Sequence, residues 1–227
     1  MPSDELIRTL AVPGFLFDFD GPLCNVFAGL PAPQVAQDLG RLVLSREPSL
    51  RSRVQATNDP LVVMSLAYEA DGQLGEDAER ALTAAEVAAV AVAGDPTRGA
   101  VEALHEARAA GRRIAVVSNN SADCVCAFLE RHALAQYVED IVGRPTGRPD
   151  LMKPSPHSLL RAAENLGVEI AKCTLIGDSL TDIEAAHVAG ATAVGYANKP
   201  HKRLAFDRAG ADSIIDGMGE IAGALRL

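Results

Sequence analysis

Short apolar runs recur along the second half of the chain, and a helical pattern of apolar positions follows most of them. Continuous apolar runs bounded by turn-forming residues are typical of strands that are buried on both faces of a parallel sheet. The regular alternation of helices and strands from residue 96 onward therefore predicts an α/β fold with a doubly wound parallel sheet. The strands predicted in this part of the chain are residues 113–118, 140–142, 173–177, 192–196 and 212–215.

Helices are predicted around these strands where an amphipathic pattern begins after a capping residue or ends at a glycine. They cover residues 97–110, 122–132, 156–166 and 181–189, and a final helix closes the chain. One further apolar run, residues 15–17, lies near the amino terminus and predicts an additional buried strand.

Residues 24–95 have a different pattern, because no buried-strand signature occurs there. Helical patterns at residues 33–47, 60–70 and 76–93 are separated by turn-forming residues. A chain of 227 residues exceeds one average domain but can be a single α/β unit with one insertion. We therefore predict an α/β core domain of residues 1–23 plus 96–227 and a smaller inserted helical domain of residues 24–95.

Polar side chains stand at the predicted carboxyl ends of three strands: Asp18 and Asp20, then Ser118 and Asn119, then Asp178. Strand alternation points Asp18 and Asp20 to the same side, and buried carboxylates cost several kcal/mol unless a cation or hydrogen bonds compensate. In an open parallel sheet, ligands bind at the carboxyl ends of the strands near a topological switch point. We therefore expect these groups to converge on one crevice together with Lys153, one of only 4 lysines against 17 arginines.

Four short motifs resemble, in order and spacing, those of the haloacid dehalogenase superfamily of phosphotransferases. They are Asp18-x-Asp20-Gly21, Ser118-Asn119, Lys153-Pro154 and Gly177-Asp178-Ser179-x-x-Asp182. The resemblance covers nearly the whole chain and implies a Rossmann-like core, phosphatase activity on a small phosphorylated metabolite, and an inserted cap at residues 24–95. The chain departs from the family pattern at Pro22, where the family usually has threonine.

The resemblance assigns catalytic and substrate-binding roles to five residues. Asp18 is the expected nucleophile, which forms an aspartyl-phosphate intermediate, and Asp20 is the expected general acid and base. Ser118 and the amide of Asn119 are expected to hold phosphoryl oxygens. Lys153 is expected to neutralise the phosphate and to fix Asp18.

A metal ion is expected for the same reaction, because a carboxylate attacks a phosphate dianion only when negative charge is cancelled. Mg²⁺ binds through one or two carboxylates plus substrate phosphate and keeps several waters. By resemblance, Asp18, the backbone carbonyl of Asp20 and Asp178 hold Mg²⁺, with Asp182 as an outer-shell partner. An alternative assignment for Asp178 and Asp182 is a pair of acids that stabilises a helix N-terminus.

The composition limits which binding partners and which cellular compartment we expect for this protein. The formal net charge of −9 argues against nucleic acid and anionic membranes as partners. The longest uncharged apolar stretch, residues 87–93, is far shorter than the roughly 18 residues of a membrane span. The four cysteines show neither a disulfide framework nor zinc-ligand spacing, so we expect a cytoplasmic protein. We interpret the excess of arginine over lysine as the mark of a GC-rich bacterial genome.

Two other functions stay open. A phosphosugar mutase would use the same core, and a non-catalytic protein that binds a phosphorylated ligand would use the same crevice. Dehalogenation and phosphonate hydrolysis are disfavoured, because family members with those activities lack an acid at the position of Asp20. The sequence identifies neither the substrate nor the oligomeric state.

Two groups of basic residues lie outside the motifs. Residues 198–202 follow the last long strand, and we favour a solvated helix start there over a position beside the crevice. The inserted segment contains Arg41, Arg46, Arg51 and Arg53, none of which the sequence distinguishes as a substrate contact.

Overall fold

The computed structural model describes residues 2–227. Six strands in this part of the chain form one parallel sheet in the order β3-β2-β1-β4-β5-β6. The strands are β1 (Gly14–Phe17), β2 (Arg113–Val117), β3 (Asp140–Val142), β4 (Cys173–Gly177), β5 (Thr192–Tyr196) and β6 (Ser213–Ile215). The order reverses on either side of β1, which makes the gap between β1 and β4 the topological switch point.

Eleven α-helices occur among residues 2–227. They are α1 (Asp4–Thr9), α2 (Ala32–Arg46), α3 (Arg51–Gln55), α4 (Pro60–Ala70), α5 (Gly72–Val90), α6 (Ala100–Ala109), α7 (Ala122–Arg131), α8 (His157–Leu166), α9 (Leu180–Ala189), α10 (Pro200–Arg208) and α11 (Gly219–Leu225). The sequence pattern does not predict α1 or α3. Both are short, at 6 and 5 residues, and have too few turns to show an amphipathic pattern.

Helices cover the sheet on both faces. Leu16 and Leu175 point toward α8 and α9, where they join Leu159 and Ile183 in one fully buried cluster. Helix α11 contacts both α1 and α6, while α6 lies against β2 and α1 lies against β5 and β6. The described residues of these three helices do not belong to that cluster. This arrangement confirms the predicted doubly wound α/β fold.

Strand register aligns the carboxyl ends of the three central strands. Phe17 at the end of β1 pairs with Val116 on one side and with Ile176 on the other. The residues that follow these strands therefore emerge at the same edge of the sheet, which is the edge where open α/β sheets bind ligands.

The chain divides into two compact units. The α/β unit comprises the chain up to Asn25, Asp95–Arg144 and Leu151–Leu227, and the helical unit comprises Val26–Gly94 and Pro145–Asp150. The segment 145–150, which the sequence pattern assigns to the core, groups with the helical unit in this division. This segment joins the helical unit through a long-range contact, in which the amide of Gly147 donates to Glu79 Oε2 at 3.0 Å.

Aspartate side chains cap the N-termini of α4 and α5 in the helical unit. Asp59 accepts from the amide of Leu61 and Asp71 accepts from the amide of Leu74, each at 2.8 Å, which satisfies amides that lack a helical partner. Because Asp71 is the cap, α5 begins at Gly72, four residues before the predicted start at residue 76. Leucine and valine side chains from α2, α4 and α5 form the buried interior.

Two further observations concern membranes and thiols. Among the described residues, none of the helices is long and apolar enough to span a bilayer. The four cysteines are free thiols, and three of them are buried.

Candidate active site

Asp18 stands immediately after β1, and its amide donates to Ile176 O on β4 at 2.9 Å. The strand ends at Phe17, so strand alternation does not extend to Asp20 as the sequence predicts. The chain turns instead, because the amides of Leu23 and Cys24 both donate to Phe19 O, at 3.1 and 3.0 Å. Asp18 is consequently buried, whereas Asp20 is partly exposed.

Gly21 has a φ of +108° and lies against the carboxylate of Asp178. A Cβ at this position would approach the Asp178 carboxylate to between 2.4 and 2.8 Å, so only glycine allows this approach. Pro22 follows without disturbing the turn, because the turn's hydrogen bonds use the amides of Gly21, Leu23 and Cys24. A proline in place of the usual threonine is therefore compatible with this local structure.

Lys153 lies between two carboxylates at the switch point. Its ammonium nitrogen is 2.7 Å from Asp18 Oδ1, 2.7 Å from Asp182 Oδ1 and 3.1 Å from Val117 O. The ammonium group donates hydrogen bonds to Asp18 Oδ1 and to Val117 O, and Asp182 Oδ1 lies at ion-pair distance from it. Lys153 is thus held in one position and brings positive charge to Asp18.

Burial changes the proton affinity of this group of residues. Removal of Asp18 from water raises the pKa of its carboxyl to about 8, repulsion by Asp182 adds to the rise, and Lys153 opposes it. Burial alone would lower the pKa of Lys153, but its ion pairs with Asp18 and Asp182 outweigh burial and raise that pKa above its ordinary value. The arrangement therefore has an excess of negative charge that an added cation would relieve.

Asn119 connects the end of β2 to the segment that carries Lys153. Its Oδ1 accepts from the Lys153 amide at 2.9 Å, and its Nδ2 donates to the Lys153 carbonyl at 3.2 Å. The side chain thereby positions Lys153, a role that sequence reasoning missed. Ser118 is buried, and its Oγ accepts from the amide of Asn120 at 3.1 Å.

Asp182 forms a capping box with Ser179 at the start of α9. Ser179 Oγ accepts from the Asp182 amide at 3.2 Å, and Asp182 Oδ2 accepts from the Ser179 amide at 3.0 Å. Gly177 makes room for this carboxylate, since a Cβ there would lie 2.4 Å from Asp182 Cγ. The helix-terminal role considered for Asp182 is therefore present, in addition to its ion pair with Lys153.

The carboxylates of Asp18, Asp178 and Asp182 form a compact cluster, with one oxygen of each within 4.8 Å of the others. The side chain of Asp20 is not among the three, which leaves its main-chain carbonyl as the group considered for a metal. An all-oxygen donor set with a surplus of negative charge suits a hard divalent cation such as Mg²⁺. The residues present therefore fit the expected ion.

A second lysine contacts this cluster. Lys202 Nζ donates to Asp178 Oδ2 and to Asp178 O, each at 2.6 Å, and Asn198 Nδ2 donates to the same Oδ2 at 2.7 Å. Residues 198–202 do begin a helix, as predicted, but the interpretation of this start as a merely solvated face was wrong. The signal available in the sequence was the position of two of the four lysines directly after a strand.

A cavity of about 450 Å³ opens beside Asp20 and Asp178 on the α/β unit. Its remaining lining residues are Gly21, Asn25, Thr97, Tyr196, Asn198, Lys199 and Lys202. The lining is polar and carries both acids and ammonium groups, so it suits a small, charged, hydrated ligand.

A family model described as haloacid dehalogenase-like hydrolase matches residues 12–190, a span that contains all of these motif residues. The chain belongs to this family. A phosphoglycolate phosphatase from Nitrosospira multiformis is 31% identical to this hydrolase over 187 residues, which cover 80% of this chain and 81% of that protein. A phosphoglycolate phosphatase from Nitrosococcus oceani is 28% identical and covers 92% and 95%, respectively.

A solved structure agrees with this assignment at the level of the fold. CbbY from Rhodobacter sphaeroides in complex with phosphate is similar to the hydrolase with a TM-score of 0.67 and 21% identity, covering 95% of this chain and 100% of that one. The predicted family, fold and enzyme class, a phosphoric monoester hydrolase, are thus confirmed. The individual roles of the site residues stay predictions.

Proposed function

We propose that this hydrolase is a Mg²⁺-dependent phosphatase that hydrolyses a small phosphomonoester through an aspartyl-phosphate on Asp18. One observation carries the proposal, which is the buried Asp18 carboxylate held at 2.7 Å by Lys153 within a cluster of carboxylates at the switch point of the sheet. A buried carboxylate with a fixed orientation and a cation beside it has the properties of an activated nucleophile.

In the first step, a carboxylate oxygen of Asp18 attacks phosphorus and the bond to the leaving oxygen breaks. Asp20 lines the adjoining cavity and gives its proton to the leaving oxygen. In the second step, Asp20 takes a proton from water, the water oxygen attacks phosphorus, and the bond to Asp18 breaks to release phosphate. Burial raises the pKa of Asp18, and Lys153 opposes the rise and so favours the ionised form that attacks phosphorus. Asp20 is partly exposed beside the cavity, where it can exchange protons with the leaving group and with water.

Neighbouring groups hold the reactants in position. Lys153 keeps Asp18 oriented and opposes the negative charge that the phosphoryl group brings. Ser118 and the amide of Asn119 lie at the end of β2, where they are suited to bind phosphoryl oxygens. Bound Mg²⁺ would cancel charge between nucleophile and phosphate, and Asp18, the carbonyl of Asp20 and Asp178 would hold it.

The relatives indicate the class of substrate. Two of them bear the name phosphoglycolate phosphatase, so 2-phosphoglycolate is the first ester to test. We propose that the helical unit acts as the substrate-selecting cap, and that the enzyme works in the cytoplasm, where its free thiols would stay reduced. Selection among esters would then depend on side chains of the helical unit.

The test is release of inorganic phosphate from a panel of small phosphate esters, with and without Mg²⁺. Asp18→Asn should lower kcat by at least about a hundredfold, because an amide is neither a nucleophile nor an anionic ligand. Chelation should remove activity and Mg²⁺ should restore it. Residual turnover by a pure, folded Asp18→Asn variant at more than about a hundredth of the wild-type rate would contradict the covalent role.

The same assay separates the other two functions. A mutase would convert one sugar phosphate isomer into another with little release of phosphate. A non-catalytic binding protein would bind an ester and leave it intact, which equilibrium dialysis with the unchanged ester would show.

A further inference from the structure

The ammonium group of Lys202 contacts Asp178, which is the one carboxylate of the cluster that Lys153 does not contact. Nζ lies 2.6 Å from Asp178 Oδ2, and Asn198 donates to the same oxygen at 2.7 Å. The two side chains of the ion pair are only 21% and 16% exposed. Such shielding keeps the interaction stronger than that of an ion pair in open solvent.

The two lysines change the charge that a metal ion meets. Asp18, Asp178 and Asp182 supply three negative charges when ionised, and Lys153 and Lys202 each contact at least one of these carboxylates. The cluster of five groups then has a net charge of −1, whereas the same cluster without Lys202 would have −2. A divalent cation is attracted less to the first cluster than to the second.

We infer that Lys202 weakens the binding of Mg²⁺ to the free enzyme and makes it depend on a phosphate group bound at the same site. Lys202 competes with the ion for Asp178, and a phosphate dianion supplies the negative charge that Lys202 cancels. By linkage, phosphate and Mg²⁺ would then strengthen each other's binding by the same factor. This inference rests on the proposed metal-dependent function and adds a positioning and charge-compensating residue to it.

Such coupling has a chemical use. A free enzyme with a tightly bound divalent ion on Asp18 would have that carboxylate engaged before any substrate arrives. Weak binding in the free enzyme lets ion and phosphate assemble together on Asp18 and Asp178. The substrate's phosphate would thereby help to complete the site in which it reacts.

Isothermal titration calorimetry of the metal-free protein with Mg²⁺ tests the inference directly, in the absence and presence of inorganic phosphate. Without phosphate, Lys202→Met should bind Mg²⁺ at least about tenfold more tightly than wild type, because one positive charge is removed from the cluster. The increase in Mg²⁺ affinity caused by phosphate should be correspondingly smaller in Lys202→Met than in wild type. Lys202→Arg retains the charge and should resemble wild type in both respects.

Lys199→Met is the matched control. Lys199 lines the same cavity at the start of α10, but within the described chain no acid lies at ion-pair distance from it. Its removal should change Mg²⁺ affinity by less than about twofold, because an exposed charge is screened by water and salt. Lys202→Gln keeps a hydrogen-bond donor, and circular dichroism of the three Lys202 variants establishes that they are folded. If Lys202→Met does not fold, the same tightening is expected of Lys202→Gln.

Unchanged or weaker Mg²⁺ binding by the folded Lys202→Met and Lys202→Gln variants would overturn the inference, and would make Lys202 simply an anchor of α10. If wild type binds Mg²⁺ and releases phosphate while the variants show no tightening, only this inference fails. If wild type neither binds Mg²⁺ nor releases phosphate from any ester, the proposed function fails together with it.

Discussion

Lys153 and Asp18 form an ion pair that is almost entirely shielded from water, with Nζ 2.7 Å from Oδ1. The two residues are 135 positions apart in the chain. A buried ion pair adds little net stability, because desolvation offsets most of the attraction, and Lys153 would keep its ion pair with Asp182 if the charge of Asp18 were removed. We therefore expect this pair to matter mainly for the position and protonation of Asp18.

Asp18→Asn should stabilise the metal-free protein at high pH. The pKa of Asp18 rises from an ordinary value of 3.8 to about 8 in the folded protein. Between these values the folded state binds more protons than the unfolded state, so wild-type stability falls as pH rises through this window. Asparagine does not ionise, so the variant escapes that loss. Urea unfolding in a chelator should show a small difference in midpoint near pH 5 and a large one near pH 8.5.

Two controls accompany this prediction. Mg²⁺ should reduce the difference at high pH, because an ion that binds only the folded wild type stabilises it. Asp207→Asn, which changes an exposed acid on α10, should show no such pH dependence. If the urea midpoints of Asp18→Asn and wild type differ by the same amount near pH 5 and near pH 8.5, the raised pKa of Asp18 is contradicted.

Asp20→Asn should slow hydrolysis most for esters with poor leaving groups. An aryl phosphate with an activated leaving group departs without a proton, whereas an alkyl phosphate needs one from Asp20. The measurement is kcat/KM for a series of esters whose leaving groups differ in pKa, and the variant should show a steeper dependence on that pKa. The same loss for every ester would argue against leaving-group protonation.

Asn119→Ala should lower kcat more than it raises KM. The variant loses two hydrogen bonds to the main chain of Lys153, which should cost about 1–3 kcal/mol of unfolding free energy and let Lys153 move from Asp18. Asn119→Asp keeps the acceptor oxygen, so its kcat should lie between the values for Asn119→Ala and wild type. A higher KM with unchanged kcat would instead indicate that the Asn119 side chain contacts the substrate.

Arg51→Gln should raise KM for an anionic ester by about tenfold, the equivalent of one charge-assisted hydrogen bond. Arg51 lines a cavity of about 580 Å³ in the helical unit, together with Gln34, Gln37, Arg41, Gln55 and Asn58. Among the described residues, no aspartate or glutamate lines this cavity. Arg53→Gln is the matched control, because Arg53 pairs with Glu69 at 2.7 Å outside that lining. Equal effects of the two substitutions would show that this cavity does not select the substrate.

Local patterns in the sequence determine most of the fold. The predicted strands at residues 140–142, 173–177 and 192–196 agree with the bounds of β3, β4 and β5, and the predicted helix at residues 60–70 agrees with α4. Apolar runs, helical periodicity and turn-forming glycine or proline are properties of neighbouring residues, so they can be read without knowledge of the fold.

The order of the motifs in the sequence also identifies the residues that meet at the site, including Asp18, Lys153 and Asp178. Tertiary structure alone decides how these residues pair. Lys153 contacts Asp182 as well as Asp18, Asn119 holds the main chain of Lys153, and Lys202 contacts Asp178. Each contact joins residues at least 20 positions apart, and it depends on strand register and helix packing. Local periodicity contains no information about such distances, which is why the second lysine of the site became evident only in the folded chain.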